Sequence, residues 1–382
     1  NVENFIGGSG NDTIIGSSGN NYLNGGLGND TLIGGAGNDI LTDSSGNNTF
    51  VGGAGDDTIN GTGATSSWLD YSLDGITEGA VTNLNTTINQ AISTNRGNDI
   101  ITGVNNITGS AYNDIFYGNS NINTINGGAG DDTIEGYGGN DILDGGTNTA
   151  VGDTVSYYGE NQISVSLNDS GTTSVGVWNG SNYTTEVDTI SNFENISGSN
   201  SGGDFISGNV SDNTLWGNVG NDSLYGGGGN DYIDGGSDND TIAGGTGADI
   251  ILGGNGNDIL RGGGTAYNNG STDGFSDTLY GNAEDDTLYG MLDGDTLYGG
   301  DNATSFNGND VINYSELGVG NAVYIDINAT AGASFAQLVG TPTIKDTIYG
   351  FNTVIGSDGN DTIVGNVNNN SISSGAGNDV IY

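Results

Sequence analysis

The amino-acid sequence predicts an all-β solenoid built from nine-residue units, and three observations carry that prediction. Residues 7–60 divide without a gap into six nonapeptides: GGSGNDTII, GSSGNNYLN, GGLGNDTLI, GGAGNDILT, DSSGNNTFV and GGAGDDTIN. The eighth position is always apolar, held in turn by Ile14, Leu23, Leu32, Leu41, Phe50 and Ile59. The first six positions are turn residues, which leaves room for only a three-residue x-apolar-x strand. Such a unit cannot bury its apolar residue alone, so a strict period argues that neighbours stack.

Alternation along each strand sends the middle side chain inward and its two flanking ones outward. Two turns and two strands then close one coil of 18 residues, with odd and even nonads on opposite sheets. The pattern returns over residues 208–261, with Leu215, Leu224, Ile233, Ile242, Ile251 and Leu260 in the apolar slot, and in shorter runs at 109–144, 272–298 and 356–382. Segments of another texture intervene, opening on "WLDYS" (68–72), "DTVSYY" (153–158) or "DVINYS" (310–315). The chain therefore reads as four repeat arrays, residues 1–60, 99–144, 188–298 and 346–382. Three short β-rich inserts, residues 61–98, 145–187 and 299–345, separate them and are expected to bulge from one side of the stack. Inside the first insert, "LNTTINQAIS" (84–93) predicts a short helix, because Leu84, Ile88 and Ile92 share a helical face.

Composition restricts the partners. Three basic residues stand against 47 acidic ones, a net charge of −44 over 382 residues. Such a chain is either disordered or binds many cations, and the repeats favour the second. Nothing here can neutralise phosphate, so no nucleic-acid partner is expected. No apolar run is long enough to cross a bilayer, so no membrane insertion is expected either. The chain has no cysteine. Its first residues, "NVENFIGGSG", lack the basic start and apolar stretch of a signal peptide. Both ends read as cut from a longer repetitive chain, or as exposed to receive a neighbour.

The core is one apolar column per sheet, and that is thin. Burial contributes roughly 1.5–3 kcal/mol per large side chain, against about 1–2 kcal/mol of ordering cost for each of nine residues. The turn supplies the difference. Glycines at positions one, two and four permit positive φ and let successive carbonyls face one side. Aspartate closes the turn at position six. Carbonyls and carboxylates without a single thiol or imidazole make a hard-oxygen site suited to Ca²⁺. Turns on one edge recur every 18 residues, and the carboxylates follow that spacing: Asp12–Asp30, Asp39–Asp57, Asp114–Asp132, Asp222–Asp240, Asp231–Asp249, Asp240–Asp258, Asp277–Asp295 and Asp361–Asp379. Asp141 and Asp286 hold the same sixth position and complete the candidate metal ligands.

The motif G-G-x-G-x-D-x-(apolar)-x resembles the repeats-in-toxin family of hemolysin-type calcium-binding repeats, and the resemblance covers most of the chain. It implies a right-handed parallel β-roll with Ca²⁺ between turns i and i+2, held by the aspartates above and by carbonyls such as those of Gly34, Ala36 and Asn38. It also implies export by type I secretion and folding on extracellular calcium, with roughly 10–20 ions suggested by the paired carboxylates. Surface-layer, surface-filament and large-adhesin proteins are the members it looks most like. The sequence departs from the motif at Asn21, Asn48, Asn123, Asn213 and Asn370, which replace aspartate and should bind calcium poorly.

No catalytic constellation accompanies the repeats. The absence of histidine removes zinc-protease motifs and serine triads. Arg96, Arg261 and Lys345 stand alone in sequence, too sparse for a phosphate cradle. Every well-placed carboxylate pair already has a cation explanation, so no enzyme is expected. Position nine faces solvent and carries Tyr117, Trp216, Tyr225, Tyr280, Tyr289, Tyr298 and Tyr382, with Tyr280 and Tyr298 predicted to stack. The function expected is a calcium-folded, secreted structural protein that assembles with copies of itself on a bacterial surface. The alternatives are an adhesin that binds cell-surface polysaccharide, or the repeat region of a larger secreted protein.

Overall fold

The computed structural model describes residues 3–167, 173–178, 183–264, 274–300, 308–317, 320–328, 334–340 and 345–382. Every regular element among them is a strand. The chain divides into two units, residues 1–160 with 170–195, and residues 161–169 with 196–382.

In the first unit, strands Asn4–Ile6, Tyr22–Asn24, Ile40–Thr42, Thr58–Asn60 and Gly97–Thr102 form one parallel sheet, with Phe5, Leu23, Leu41, Ile59 and Ile101 in register. The alternate nonads form a second: Thr13–Ile15, Thr31–Ala36, Asn47–Ala54, Ser66–Asp70, Asn106–Thr108, Thr124–Ala129 and Ile142–Thr147. Partners lie 18 residues apart wherever the repeat is unbroken, as Ile14, Leu32 and Phe50 do. Leu32, Leu41, Phe50 and Ile59 are completely buried, so the apolar slot is the core.

The second unit repeats the arrangement. Strands Thr214–Val219, Tyr232–Ser237, Ile250–Asn255, Thr278–Ala283, Thr296–Tyr298 and Lys345–Tyr349 make one parallel sheet. Phe205–Ser207, Ser223–Gly228, Thr241–Thr246, Ile259–Gly263, Thr287–Tyr289, Val311–Asn313, Thr353–Ile355 and Ser371–Ser373 make the other.

Three features differ from expectation. Many strands run six residues instead of three, because the pairing continues through the glycines, as in Gly35↔Gly53 and Ala36↔Ala54. Residues 84–93 are not helical: Gln90–Ser93 is a strand antiparallel to Gly97–Thr102. Ile88 is 72% exposed while Ile92 is buried, so the apolar spacing does not define a face. The Asn83 side chain instead accepts the Asn85 N–H in a local turn, and β-branched Thr86, Thr87 and Ile88 are weak helix formers. Finally, the segments between the arrays contribute rungs of their own. Ser66–Asp70, Val81–Asn83, Thr154–Ser156, Ile163–Ser166, Val311–Asn313 and Val323–Asp326 all pair in parallel with repeat strands. The antiparallel pairings are hairpins beside them, such as Thr173–Trp178 with Tyr183–Ser191.

Candidate metal centre

The Asn-Asp pair at positions five and six builds two hydrogen-bond ladders of opposite direction. Where the repeat is unbroken, the sixth-position N–H donates to the side chain 18 residues ahead: Asp12 to Asp30 Oδ1 at 2.7 Å, Asp39 to Asp57 at 2.8 Å, Asp114 to Asp132 at 2.7 Å. The second unit continues the rule from Asp222 to Asp240, Asp231 to Asp249, Asp240 to Asp258 and Asp277 to Asp295, and Asp361 reaches Asp379. All eight predicted carboxylate pairs are thus neighbours in space. Many fifth-position N–H groups donate backward instead, as Asn38 does to Asn20 Oδ1 at 2.9 Å and Asn239 to Asn221 at 2.9 Å. The sequence reading missed this exposed asparagine ladder, whose only signal is the frequency of Asn before Asp.

One ladder bond uses one carboxylate oxygen, and the fate of the other sorts the turns. In the open class Oδ2 is buried and has no hydrogen-bond partner, as at Asp30, Asp39, Asp57, Asp132, Asp222, Asp231, Asp240, Asp258 and Asp286. Their second-position residue has positive φ: Gly35 at +105°, Gly128 at +105°, Gly236 at +105°, and even Asn218 and Asn282 at +74° and +73°. The first glycine has a different task, which corrects the expectation of positive φ there. A methyl group on Gly235 would collide with Asp240 Oδ2 and lie 2.6 Å from the Gly253 carbonyl oxygen. Position one is glycine because a carboxylate and the next coil's carbonyl close on that space.

In the closed class the second-position N–H occupies the carboxylate. Ser110 N–H donates to Asp114 Oδ2 at 2.6 Å and its hydroxyl to Oδ1 at 2.9 Å. Ser357 treats Asp361 alike, at 2.7 Å for each bond, and Gly8 N–H reaches Asp12 Oδ2 at 2.7 Å. The asparagine turns are closed in the same manner. Ser17, Asn119, Asn209 and Asn366 donate their N–H to Asn21, Asn123, Asn213 and Asn370. Where Asp would leave an oxygen unpartnered, Asn123 donates its amide to the Asn105 carbonyl at 2.7 Å, and Asn48 to the Ser45 carbonyl at 2.9 Å.

Burial pushes up six of the open carboxylates, with neighbouring carboxylates adding to it: Asp57, Asp132, Asp222 and Asp231 to about 7, Asp240 and Asp286 to about 8. Buried anionic oxygens with no donor are costly unless a cation meets them. Among the described residues no three acidic side chains converge on one point, so an ion here takes much of its shell from carbonyls. An all-oxygen set of carboxylates plus main-chain carbonyls fits Ca²⁺.

Aspartates outside the consensus extend the ladder across the interruptions. Asp99 accepts from Asp57, Asp153 from Asp132, Asp188 from Asp141, Asp310 from Asp286 and Asp346 from Asp295. They too were missed, although each precedes an x-apolar pair as a sixth-position aspartate does. The three basic residues all find their partners in the interruptions. Arg96, 1% exposed, bonds Asp74 at 2.7 Å and the carbonyls of Glu78 and Gly79. Arg261 pairs with Glu316 at 2.9 Å over the Tyr289 ring, and Lys345 lies over Phe335.

Coiled parallel strands whose turns present buried, unpartnered carboxylate oxygens beside carbonyls define a cation-binding β-roll. A family profile describing four copies of the RTX calcium-binding nonapeptide repeat matches residues 6–41, 33–64, 102–121, 117–149, 199–233, 234–266, 271–306 and 346–382, well over half of the sequence. The chain belongs to this family, and its repeats bind Ca²⁺ at many sites. Such repeats are characteristic of type I-secreted extracellular proteins and are typically non-catalytic. No curated protein matches the chain. No helix among the described residues is long and apolar enough to cross a membrane.

Proposed function

We propose that this chain is a secreted structural protein of a bacterial surface that folds on extracellular Ca²⁺ and packs against copies of itself, as a surface-layer or filament subunit does. One observation carries the reading. On the first unit's outer sheet face, Tyr22, Ile40, Thr58 and Ile100 stand side by side on paired strands, with Tyr22, Ile40 and Ile100 at 36%, 44% and 37% exposure. A row of apolar side chains on a regular sheet is a surface that association would bury. The partner of best fit is another copy, because an identical row repeats the same strand spacing and Ca²⁺ can bridge two acidic surfaces.

The tyrosines of the second unit favour a protein partner over polysaccharide. Tyr280, Tyr298 and Tyr349 stack at 4.8 and 4.9 Å, nearly parallel. Tyr298 has both ring faces covered and Tyr280 and Tyr349 one each, which leaves mostly edges rather than the open faces a sugar would stack on. Imaging and light scattering at millimolar Ca²⁺ test the proposal. Ordered assemblies are expected, and the triple change Tyr22→Ser, Ile40→Ser, Ile100→Ser should abolish them while leaving the calcium-induced circular dichroism intact. A monodisperse wild-type monomer at high concentration would sink it.

A further inference from the structure

Tyr71, Tyr157 and Tyr314 are the only buried tyrosines among the described residues, at 6%, 2% and 1% exposure, and each interruption holds one. Each follows the apolar residue of a rung by two places, after Leu69, Val155 and Ile312. It therefore falls where a regular turn carries its first-position glycine. Each also lies beside an aspartate that ends a long step of the ladder: Asp99, Asp188 and Asp346, reached across 42, 47 and 51 residues.

The third interruption shows what the ring does. Beside a regular first-position glycine stand the carboxylate of its own turn and the carbonyl of the next coil, as Asp286 and Gly299 stand beside Gly281. A methyl group on Gly290, which opens the turn ending at Asp295, would collide instead with the Tyr314 ring. The ring fills the space between coils that a regular turn leaves to its oxygens. Its hydroxyl donates to Asp346 Oδ2 at 2.9 Å, while Asp346 Oδ1 accepts the N–H groups of Asp295 at 3.1 Å and Gly294 at 3.3 Å. Both oxygens of this fully buried carboxylate are spent, and hydrogen bonds to an ionised acceptor are strong ones. The first interruption brings a cation of its own. Tyr71 stacks on Phe116 at 5.9 Å and shares a hydrogen bond with Thr82 Oγ1 at 2.5 Å. The Arg96 guanidinium lies 5.1 Å from the Tyr71 ring centre, held by Asp74 and two carbonyls, and its charge acts on Asp99 and Asp114. In the second, Tyr157 faces Asp141 and Asp188 without completing a hydrogen bond. Beyond the first and third, the ladder restarts on closed carboxylates: Ala80 N–H donates to Asp114 Oδ1 at 2.6 Å, and Val323 N–H to Asp361 Oδ1 at 2.9 Å.

We infer that the interruptions are ion-free joints, in which a buried tyrosine at the first turn position takes the place of the ion and keeps the neighbouring rungs paired when calcium is withdrawn. The chelated chain is then not uniform. Its arrays come apart, while the joints keep strand edges on which the arrays re-form when calcium returns. Self-assembly plays no part in this.

Hydrogen exchange of the full chain in excess chelator, read by mass spectrometry, tests the joints. Amides of residues 106–117 and 345–355, beside Tyr71 and Tyr314, should exchange at least tenfold more slowly than those of residues 214–264. Equal rates in the two sets would overturn the inference. Tyr314→Phe keeps the ring and removes the donor. It should cost residues 345–355 their protection and leave residues 106–117 as they were; unchanged rates at both would show that the hydroxyl holds nothing, and would also overturn it. Asp346→Asn, followed by equilibrium dialysis at saturating calcium, should bind as many ions as wild type, because both oxygens are already engaged. One ion fewer would make Asp346 a ligand and sink the joint. If Tyr314→Phe does not fold even at saturating calcium, the wild-type rates and the Asp346→Asn count decide.

Discussion

Two consecutive nonapeptides of the first unit, residues 118–126 and 127–135, satisfy their sixth residue in different ways. Asn123 accepts the Asn119 N–H and donates its amide to a carbonyl, so every polar atom of the side chain is used. Asp132 takes one ladder bond from Asp114 and keeps Oδ2 buried and unpartnered. Gly128, at φ +105°, turns its N–H away from the carboxylate, whereas Asn119 stays outside the left-handed region and points its N–H in. The closed turn therefore stands without an ion, and the open turn needs a positive charge to meet its buried oxygen. The choice is made at position two as much as at position six.

Removing calcium should produce the largest effect, and it should separate the two classes. Chelation leaves the open turns with desolvated, unpaired carboxylates and a core too thin to hold them. Most of the β signal in circular dichroism should disappear. Amide protection should vanish first over residues 214–264 and 274–298, where open turns at Asp222, Asp231, Asp240, Asp258 and Asp286 follow closely. Protection there that survives chelation would show that the ladders alone suffice.

The next largest effect is a pH dependence whose sign changes with calcium. Without the ion, folding raises the open carboxylates to about 7 at Asp57, Asp132 and Asp222 and about 8 at Asp240 and Asp286, from near 4 in the unfolded chain. A raised folded value stabilises at low pH and loses that contribution as pH climbs through it. The chelated chain should therefore gain β structure when acidified from pH 8 to 5. With calcium bound the carboxylates are held ionised, their folded values fall, and stability is instead lost on acidification. A pH titration of ellipticity with and without the ion reads both signs.

These classes were only partly legible in the sequence. The period, the apolar slot and the 18-residue spacing all follow from residue type, because a Leu32 or an Asp39 can do only one thing in a stacked turn. The role of position two could not be read in the same way. Asn218 and Asn209 are the same residue in similar turns, GNVGND and GNVSDN, yet only Asn218 adopts positive φ. Asparagine tolerates both conformations, and neighbouring coils decide between them. The ladder's continuation past the inserts was hidden for a related reason: Asp99 and Asp346 join it through pairings 42 and 51 residues apart, which no local period announces.

Single substitutions can move a turn from one class to the other, with intermediate effects. Asp240→Asn in the middle of the open run should bind one ion fewer and lose about 2–3 kcal/mol at calcium a hundredfold above the site's dissociation constant. Ser110→Gly should do the reverse by removing the hydroxyl bond to Asp114 and letting residue 110 take the positive φ that turns its N–H away, adding up to one ion while stability changes by no more than about 1 kcal/mol. Equilibrium dialysis counts the ions and thermal unfolding reads the stability. If neither count changes, position two does not select the class.

The smallest effect isolates conformation from charge and is the sharpest control on the comparison. Asp238 occupies the fourth position of the turn that ends at Asp240, where φ is +78°, a region glycine enters freely and aspartate does not. The equivalent residue of the preceding turn is Gly229, at φ +96°. Holding a non-glycine residue there costs on the order of 1–3 kcal/mol, partly offset by the looser unfolded chain that a glycine gives. Asp238→Gly should therefore stabilise by about 1 kcal/mol. It also removes a carboxylate whose charge raises Asp222 and Asp240. Because Asp238 is not a sixth-position residue, the number of bound ions should stay the same. A rise in melting temperature without a change in stoichiometry would show that the glycines of positions two and four set the backbone, and that the ion reads only what the backbone leaves exposed to it.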